Sequence, residues 1–156
     1  MNQKKDTHFG YEAISQEEKG KKVSAVFNSV ATNYDLMNNL MSMGLHHVWK
    51  KILIETTTLK PKSKILDIAA GTADISIEFL KKNKDYELFH TDINLAMLRE
   101  GKKKLINKGE IVPSILCDAE SLPFPNNYFD CVTIGFGLRN MTNKEKALKE
   151  IYRVLS

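Results

Sequence analysis

The segment LDIAAGTAD, residues 66–74, decides how the chain folds. It begins with an apolar run typical of a buried strand, and its small residues are typical of a turn that leads from a strand into a helix. The only glycine in it is Gly71, whereas nucleotide-binding turns commonly have two or three. Three interpretations follow: a working nucleotide turn that tolerates alanine, a relic of such a turn, or a buried strand that simply enters a helix.

Strand and helix patterns alternate downstream of this turn. Strands are predicted at KILDIA, YELFHTDI, VPSILCDA and FDCVTIGFG, and helices at 72–82, 95–107 and 143–155. Such alternation predicts an α/β fold, with a parallel sheet flanked by helices on both faces. We expect four strands and an edge position for the last of them, near 131–136, with no neighbour on one side.

The N-terminal part is predicted to be a helical cap over residues 1–60, with the sheet domain over 61–156. Apolar residues recur there at helical spacing, which predicts helices over 15–33, 33–44 and 45–55. Ser15 and Glu18 fit a capping box at the start of the first helix. The second helix is expected to end at Gly44.

The composition is that of an ordinary soluble globular protein, with 42% hydrophobic and 27% charged residues. No apolar run reaches the roughly 20 residues that span a bilayer, and the polar start lacks the apolar core of a secretory signal. We therefore expect a cytoplasmic protein. The net charge is +4, but the lysines mostly lie on outer helix faces, which favours a solvated surface over a nucleic-acid site.

Cysteine and histidine spacing gives no indication of a metal site. Cys117 and Cys131 show no CxxC spacing and each falls in a predicted strand, where we expect a small buried hydrophobic residue. His46 and His47 are adjacent, so both rings cannot face the same side of a helix.

An acidic residue follows the turn at the spacing of a ribose-binding site. Asp92 closes the second predicted strand 21 residues after Gly71, where a carboxylate accepts hydrogen bonds from ribose hydroxyls. A dinucleotide usually requires G-x-G-x-x-G, and the residues at that spacing here are Ala69, Gly71 and Asp74. This poor match favours S-adenosylmethionine over a nicotinamide dinucleotide, while an Asp that only caps a turn remains an alternative.

Further residues support an adenosine ligand. Asp118 comes just after the third predicted strand, where its carboxylate meets the exocyclic amine of adenine. Ala119 offers a small side chain and a backbone N–H toward the ring.

Several motifs of the chain resemble one family of enzymes. YDLMNNLMSMGLHHVWK, residues 34–50, is similar to the N-terminal signature of the ubiquinone/menaquinone-biosynthesis C-methyltransferases. HFGY, DAESLPFPNNYFD and GFGLRNMTNKEKAL are similar to the same family, so that the resemblance extends from about Thr7 onward. It implies a Rossmann-like class I methyltransferase fold, S-adenosylmethionine as the methyl donor and a prenylated hydroquinone as the acceptor. An isoprenoid acceptor also implies possible contact with a membrane surface.

The resemblance also implies roles for individual residues. Those expected at the methyl donor are Asp67 and Gly71, which shape the turn, and Thr72, Asp92, Asp118 and Ala119, which contact the ligand. Gly135 stands where the family commonly has a serine of the donor site, which predicts one hydrogen bond fewer.

Two more departures from the family pattern concern the turn and the chain length. The family commonly has Gly-Gly-Thr-Gly where this chain has Ala70, Gly71, Thr72 and Ala73, which predicts strain of about 1 kcal/mol if the φ of Ala73 is positive. The family also continues after RVL with Lys-Pro-Gly-Gly and a C-terminal half. We therefore expect a partial sheet domain here, ending after the fourth strand and its helix.

Methylation of a hydroquinone carbon requires positioning and a group that stabilises phenolate charge. Arg139 is a candidate for that stabilisation and Asn140 for orienting the ring; alternatively, Arg139 only pairs with a carboxylate and holds its loop. Tyr34 is a third candidate catalytic residue, on the capping helices, although packing is an equal interpretation. His46 is a weaker candidate base, and Trp49 is interpreted as a core residue.

Two further functions are left open by the sequence. One is a binding or scaffold protein that keeps the methyltransferase fold without turnover. The other is a nicotinamide-dependent oxidoreductase, which the missing glycines disfavour.

Overall fold

The computed structural model describes residues 6–9, 12–42 and 45–156. Side chains are described from Ser15 onward, except at positions 16, 17, 32, 39, 46 and 47. The predicted helix end at Gly44 and the side chain of the candidate base His46 therefore lie outside the described part of the chain.

The described N-terminal part begins with a hairpin and continues as helices. Strand β1 (Asp6–Phe9) pairs antiparallel with β2 (Glu12–Ser15). After the hairpin come α1 (Gln16–Val30), a 3-10 turn (Ala31–Asn33), α2 (Tyr34–Ser42) and α3 (Leu45–Thr56). The hairpin is not predicted from the sequence, because two four-residue strands of mixed polarity show no clear periodicity.

The predicted capping box is confirmed at the start of α1. The Ser15 hydroxyl accepts from the backbone N–H of Glu18 at 3.3 Å, and the Glu18 carboxylate accepts from the N–H of Ser15 at 3.1 Å. Each contact satisfies a donor that the first turn of a helix leaves unpaired.

The second part forms the predicted α/β sheet. Its elements are β3 (Lys64–Ile68), α4 (Asp74–Lys82), β4 (Glu87–Asp92), α5 (Leu95–Asn107), β5 (Ser114–Leu116), β6 (Cys131–Ile134) and α6 (Lys144–Val154). The four strands pair parallel in the order β5-β4-β3-β6, so chain order reverses between β3 and β6. In open α/β sheets, ligands bind at such a point, outside the carboxyl ends of the strands.

Both faces of the sheet are covered by helices, as predicted. On one face Ile65 packs with Phe79 of α4 and Leu105 of α5. On the other, Leu66 packs with Val154 at the end of α6. Ile65 and Leu66 are both fully buried, because successive side chains of a strand point to opposite faces.

The prediction of an edge position for the last strand is confirmed. Within the described residues, β6 pairs with β3 on one side only. The outer side is bridged just before β6 begins, where Leu155 lies parallel to Phe129 and the N–H of Ser156 donates to the Phe129 carbonyl at 2.9 Å.

Two other sequence-based expectations concern the cysteines and membrane-spanning helices. Cys117 and Cys131 are free and half-buried rather than fully buried. None of the helices in the described ranges is long and apolar enough to cross a bilayer.

Candidate functional site

The turn after β3 has an unusual backbone that places its amide groups at the sheet edge. Its φ angles are positive at Ala69 (51°), Gly71 (55°) and Ala73 (66°). Two of the three left-handed positions thus carry a methyl group, a conformation that costs about 1–2 kcal/mol for a residue with a Cβ. Because Ala73 is left-handed, α4 begins at Asp74 and not at Thr72 as predicted.

Asp92, at the end of β4, is fixed against this turn. Its two carboxylate oxygens accept from the backbone N–H groups of Gly71 and Asn94, each at 2.8 Å. Burial raises the pKa of Asp92, although these N–H groups act in the opposite direction. Each carboxylate oxygen has a second lone pair, so the group can still accept hydrogen bonds from a ligand.

His90 supports the turn from below and was not predicted as a site residue. Its Nε2 lies 3.2 Å from the Gly71 carbonyl oxygen, and its Nδ1 lies 3.3 Å from the Ser114 hydroxyl. The ring is fully buried, and burial lowers its pKa, which favours the neutral form. The sequence signal was available: a histidine within an apolar strand requires polar partners.

Gly101 of α5 was also missed. A Cβ at this position would lie 2.4 Å from the Gly71 carbonyl oxygen and 2.7 Å from the His90 ring. Only glycine therefore lets α5 approach the turn this closely. A helix-interior glycine is the sequence signal that could have identified the contact.

Asp67 is a buried carboxyl inside the sheet. Its oxygens accept from the hydroxyls of Ser76 at 2.7 Å and Thr133 at 3.0 Å, which ties β3 to α4 and β6. Burial raises the pKa of Asp67 to about 6, against the opposing effect of these hydroxyls. The residue lines neither of the cavities described next, so its position is that of a support beneath the turn.

A cavity of about 510 Å³ opens at the carboxyl end of β4 and is named here the Asp92 cavity. The residues that line only this cavity include Val23, Phe27, Asp92, Ile93, Met97, Asp118, Ala119 and Asn140. The wall thus combines three carboxylates, those of Asp92, Asp118 and Glu120, with apolar side chains, and the volume suits a drug-sized ligand. In the described part of the chain the Ala119 N–H makes no hydrogen bond, so a donor is available beside Asp118.

A second cavity of about 440 Å³ lies between the turn and the capping helices and is named the Trp49 cavity. Its own wall residues include Asn38, Met41, Leu45, Trp49, Lys50, Ala70, Thr72 and Asp74. Trp49 is 60% exposed and stacks on Phe136 with ring centroids 6.5 Å apart. The interpretation of Trp49 as a core residue is therefore wrong.

The two cavities share one wall. Residues that border both are Tyr34, Ala69, Gly71, Gly135, Phe136 and Arg139. Arg139 is exposed, and within the described residues its guanidinium makes no ion pair or hydrogen bond. A ligand in either cavity would thus lie next to the unpaired guanidinium of Arg139. Two ligands, one in each cavity, would face each other across the shared wall.

The predicted site residues fall into distinct places around these cavities. Asp92, Asp118, Ala119 and Asn140 line the Asp92 cavity alone, whereas Tyr34, Gly71, Gly135 and Arg139 line both. Thr72 lines the Trp49 cavity alone, and its hydroxyl donates to Asp35 of α2 at 2.5 Å.

The space beside Gly135 is occupied by a neighbouring side chain. A Cβ built at Gly135 would lie 2.3 Å from Cδ1 of Ile75. A serine at position 135 would therefore require Ile75 to move.

The described residues offer no cluster of His, Cys, Asp and Glu side chains suited to a metal ion. They do suit S-adenosylmethionine, since a buried carboxylate with free lone pairs faces a cavity that also offers an unpaired N–H beside a second carboxylate.

Comparisons with known proteins agree with this geometry. A sequence profile of the ubiE/COQ5 methyltransferase family matches residues 15–156. The chain is 57% identical over 150 residues to the ubiquinone/menaquinone biosynthesis C-methyltransferase UbiE of Paraburkholderia phymatum. The aligned residues cover 96% of this chain and 62% of that protein. The UbiE protein of Burkholderia mallei is also 57% identical, over 149 residues that cover 95% of this chain and 61% of the relative.

Solved structures show the same fold. A SAM-dependent methyltransferase from Aquifex aeolicus superposes with a TM-score of 0.70 at 18% identity, covering 83% of this chain and 67% of that one. The chain itself spans about three fifths of the length of the curated relatives that it matches.

Proposed function

The chain belongs to the ubiE/COQ5 methyltransferase family, and from that membership we propose that it binds S-adenosylmethionine in the Asp92 cavity and acts in C-methylation of a prenylated hydroquinone for ubiquinone and menaquinone biosynthesis. The observation that carries the proposal is the Asp92 carboxylate, held by the Gly71 and Asn94 amides at the edge of a cavity of suitable size.

The donor is proposed to lie along the Asp92 cavity. Asp92 accepts from its ribose hydroxyls, and Ile93 and Met97 provide apolar contacts for the adenine. Asp118 and the free N–H of Ala119 lie where the polar edge of the base is recognised. The left-handed turn brings the backbone of Gly71 close to the amino-acid part of the donor.

The acceptor ring is proposed to enter from the Trp49 cavity and to meet the donor at the shared wall. When bound, S-adenosylmethionine would supply the methyl group of its sulfonium. The acceptor ring carbon would form a bond to that methyl carbon as the sulfur–methyl bond breaks, S-adenosylhomocysteine would leave, and the ring carbon would then lose its proton to solvent. The Trp49 and Phe136 rings give the apolar surface that an aromatic acceptor needs.

Three residues of the chain are proposed to assist this reaction. The unpaired guanidinium of Arg139 stabilises phenolate charge on the acceptor, which makes the ring carbon more nucleophilic. The Asn140 amide orients the ring from the donor side, and Tyr34 contacts both ligands from the first turn of α2. Holding carbon, methyl and sulfur in line accounts for much of the rate.

Contact of the cap with a membrane surface is a further part of the proposal. Leu36, Leu40 and Met41 of α2 are each more than two thirds exposed, and an isoprenoid acceptor resides in a bilayer. We expect the chain to sediment with vesicles of phosphatidylcholine and phosphatidylglycerol. Leu40→Asp should weaken this binding and Ile111→Asp, on the far side of the sheet domain, should not; equal binding of both variants would contradict it.

The function is tested by transfer of a labelled methyl group to a short-chain prenylated hydroquinone. We expect labelled product from the wild-type chain, and a fall of about 100-fold in kcat for Arg139→Gln if its charge is used in the transition state. Lys144→Gln, which removes an exposed cation near the same sheet edge, is the control. A folded chain that binds the donor without forming product would support the binding or scaffold alternative.

A further inference from the structure

Four charged side chains meet between the cap and the turn after β3, residues 69–73, which is called the donor turn after its proposed role. Lys104 of α5 donates to Asp35 of α2 and to Asp74 of α4, each at 2.5 Å. Lys50 of α3 donates to the other oxygen of Asp74, also at 2.5 Å. Two positive and two negative groups therefore join four different helices in a balanced network.

The turn itself is part of this network through Thr72. Its hydroxyl donates at 2.5 Å to the Asp35 oxygen that Lys104 does not contact. Thr72 is 6% exposed and directly follows Gly71. These five residues, Asp35, Lys50, Thr72, Asp74 and Lys104, are called the latch.

The latch is partly buried, so the loss of one of its members costs more than the loss of an ordinary surface ion pair. The side chains of Lys50 and Asp74 are each 12% exposed and that of Lys104 is 31% exposed. Burial alone would raise the pKa of Asp74 and lower that of Lys104, yet their mutual hydrogen bonds shift both in the opposite direction. Removing one member of such a network leaves another charge without its partner.

The latch attaches a part of the cap whose apolar side chains are largely exposed and which also contacts the sheet domain through the stacking of Trp49 on Phe136. At its far end α3 is fixed, because Ile54 is buried and Lys82 donates to the carbonyls of Ile54 and Thr57 at 2.7 and 2.5 Å. At its near end Leu45 and Trp49 are more than half exposed, and Lys50 provides the polar contact with the sheet domain.

We propose that Lys104 is a positioning residue, which holds α2 and the near end of α3 against the donor turn and so couples the wall of the Trp49 cavity to occupation of the Asp92 cavity. The coupling follows because the turn lines both cavities and bonds to α2 through Thr72. It rests on the proposed function, since it takes the Asp92 cavity as the donor site. By linkage, an acceptor in the Trp49 cavity then strengthens donor binding by the same factor.

The first test is hydrogen exchange of the ligand-free chain. In Lys104→Met we expect the amides of α2 and the first half of α3 to exchange about 10-fold faster than in the wild type, while those of β3 and β4 are unchanged. Lys103→Met, which removes the exposed lysine next to it in α5, should leave all of them unchanged. Lys104→Arg should restore most of the protection, because arginine keeps the positive charge and can donate to both Asp35 and Asp74.

Two ligand-free results would overturn the proposal. One is equal protection of α2 and α3 in Lys104→Met and Lys103→Met. The other is an equal acceleration in the sheet, which would make Lys104 a general support of the fold and not a positioning residue.

The second test adds S-adenosylmethionine and follows Trp49, the only tryptophan of the chain. Since Trp49 lines only the Trp49 cavity, a change in its emission on donor binding reports the coupling. We expect that change in the wild type and its loss in Lys104→Met, with calorimetry still detecting donor binding. The same emission change in both proteins would overturn the coupling.

Failure of the proposed function gives a different result. A folded wild-type chain that binds no donor would overturn the donor site and the coupling to it together. The ligand-free exchange data would then still decide whether Lys104 holds the helices.

Discussion

The donor turn and the capping helices are held in place by different kinds of contact. The turn rests on buried groups with fixed partners. His90 lies beneath Gly71, and Asp92 accepts from two backbone amides. Gly101 lets α5 approach the Gly71 carbonyl closely. The helices α2 and α3 expose much of their apolar surface and meet the turn through the latch. The proposed donor side is thus built into the sheet core, whereas the wall of the proposed acceptor site meets the turn through charged side chains.

The largest expected effect is the pH dependence of the stability that Asp67 contributes, and it distinguishes the buried region beneath the turn from the latch. Burial raises the pKa of its carboxyl from 3.8 to about 6, so the folded state binds a proton more tightly than the unfolded chain. Its contribution to stability is full below about pH 4 and is lost as the pH rises to about 6, by about 3 kcal/mol. Relative to the wild type, the free energy of unfolding of Asp67→Asn should rise over this window in urea titrations.

Asp74 of the latch should behave in the opposite way. Burial would raise its pKa, but Lys104 and Lys50 outweigh burial and hold the pKa below 3.8. Its contribution is therefore present above that value and lost as the pH falls, so Asp74→Asn should lose stability relative to the wild type as the pH rises. The same sign of pH dependence for Asp67→Asn and Asp74→Asn would contradict the distinction.

The next effect tests how closely the turn is packed. In Gly101→Ala the new Cβ meets the Gly71 carbonyl at 2.4 Å, and we expect a loss of about 2 kcal/mol in the free energy of unfolding. Gly20→Ala, also in a helix but with nothing within 4 Å, should gain about 0.5–1 kcal/mol. Denaturant unfolding measures both, and a neutral Gly101→Ala would show that the turn yields easily.

The smallest effect concerns strain within the turn. Ala69 has a φ of 51° and its neighbour Ala70 does not have a positive φ, although both are half-buried. Ala69→Gly relieves a left-handed alanine, so it should be more stable than Ala70→Gly by about 1 kcal/mol. Equal stabilities of the two variants would mean that the turn carries no strain at Ala69.

The sequence predicts the buried region well because its signals are local. The helix over 95–107 is found with those bounds, and the spacing from Gly71 to Asp92 correctly predicts that they lie together. The turn extends further than predicted because alanine at a left-handed position resembles alanine in a helix.

The cap and its attachment are harder to predict because they depend on contacts between distant segments. Lys104 belongs to a run of lysines for which the sequence predicts a solvated helix face, and its partners lie 69 and 30 residues away. Trp49 has the spacing of a core residue, yet it lines a cavity. Neither periodicity nor composition contains that information.

Calorimetric titration of the chain with S-adenosylmethionine, with NADH as the parallel ligand, tests the central claim that the Asp92 cavity is a methyl-donor site. We predict saturable binding of S-adenosylmethionine and none of NADH. Asp92→Asn should weaken the affinity about 10-fold or more, because a charged acceptor of hydrogen bonds is lost, whereas Asp85→Asn in an exposed turn should not. No binding to a folded sample, or equal affinity in the two variants, would contradict the account.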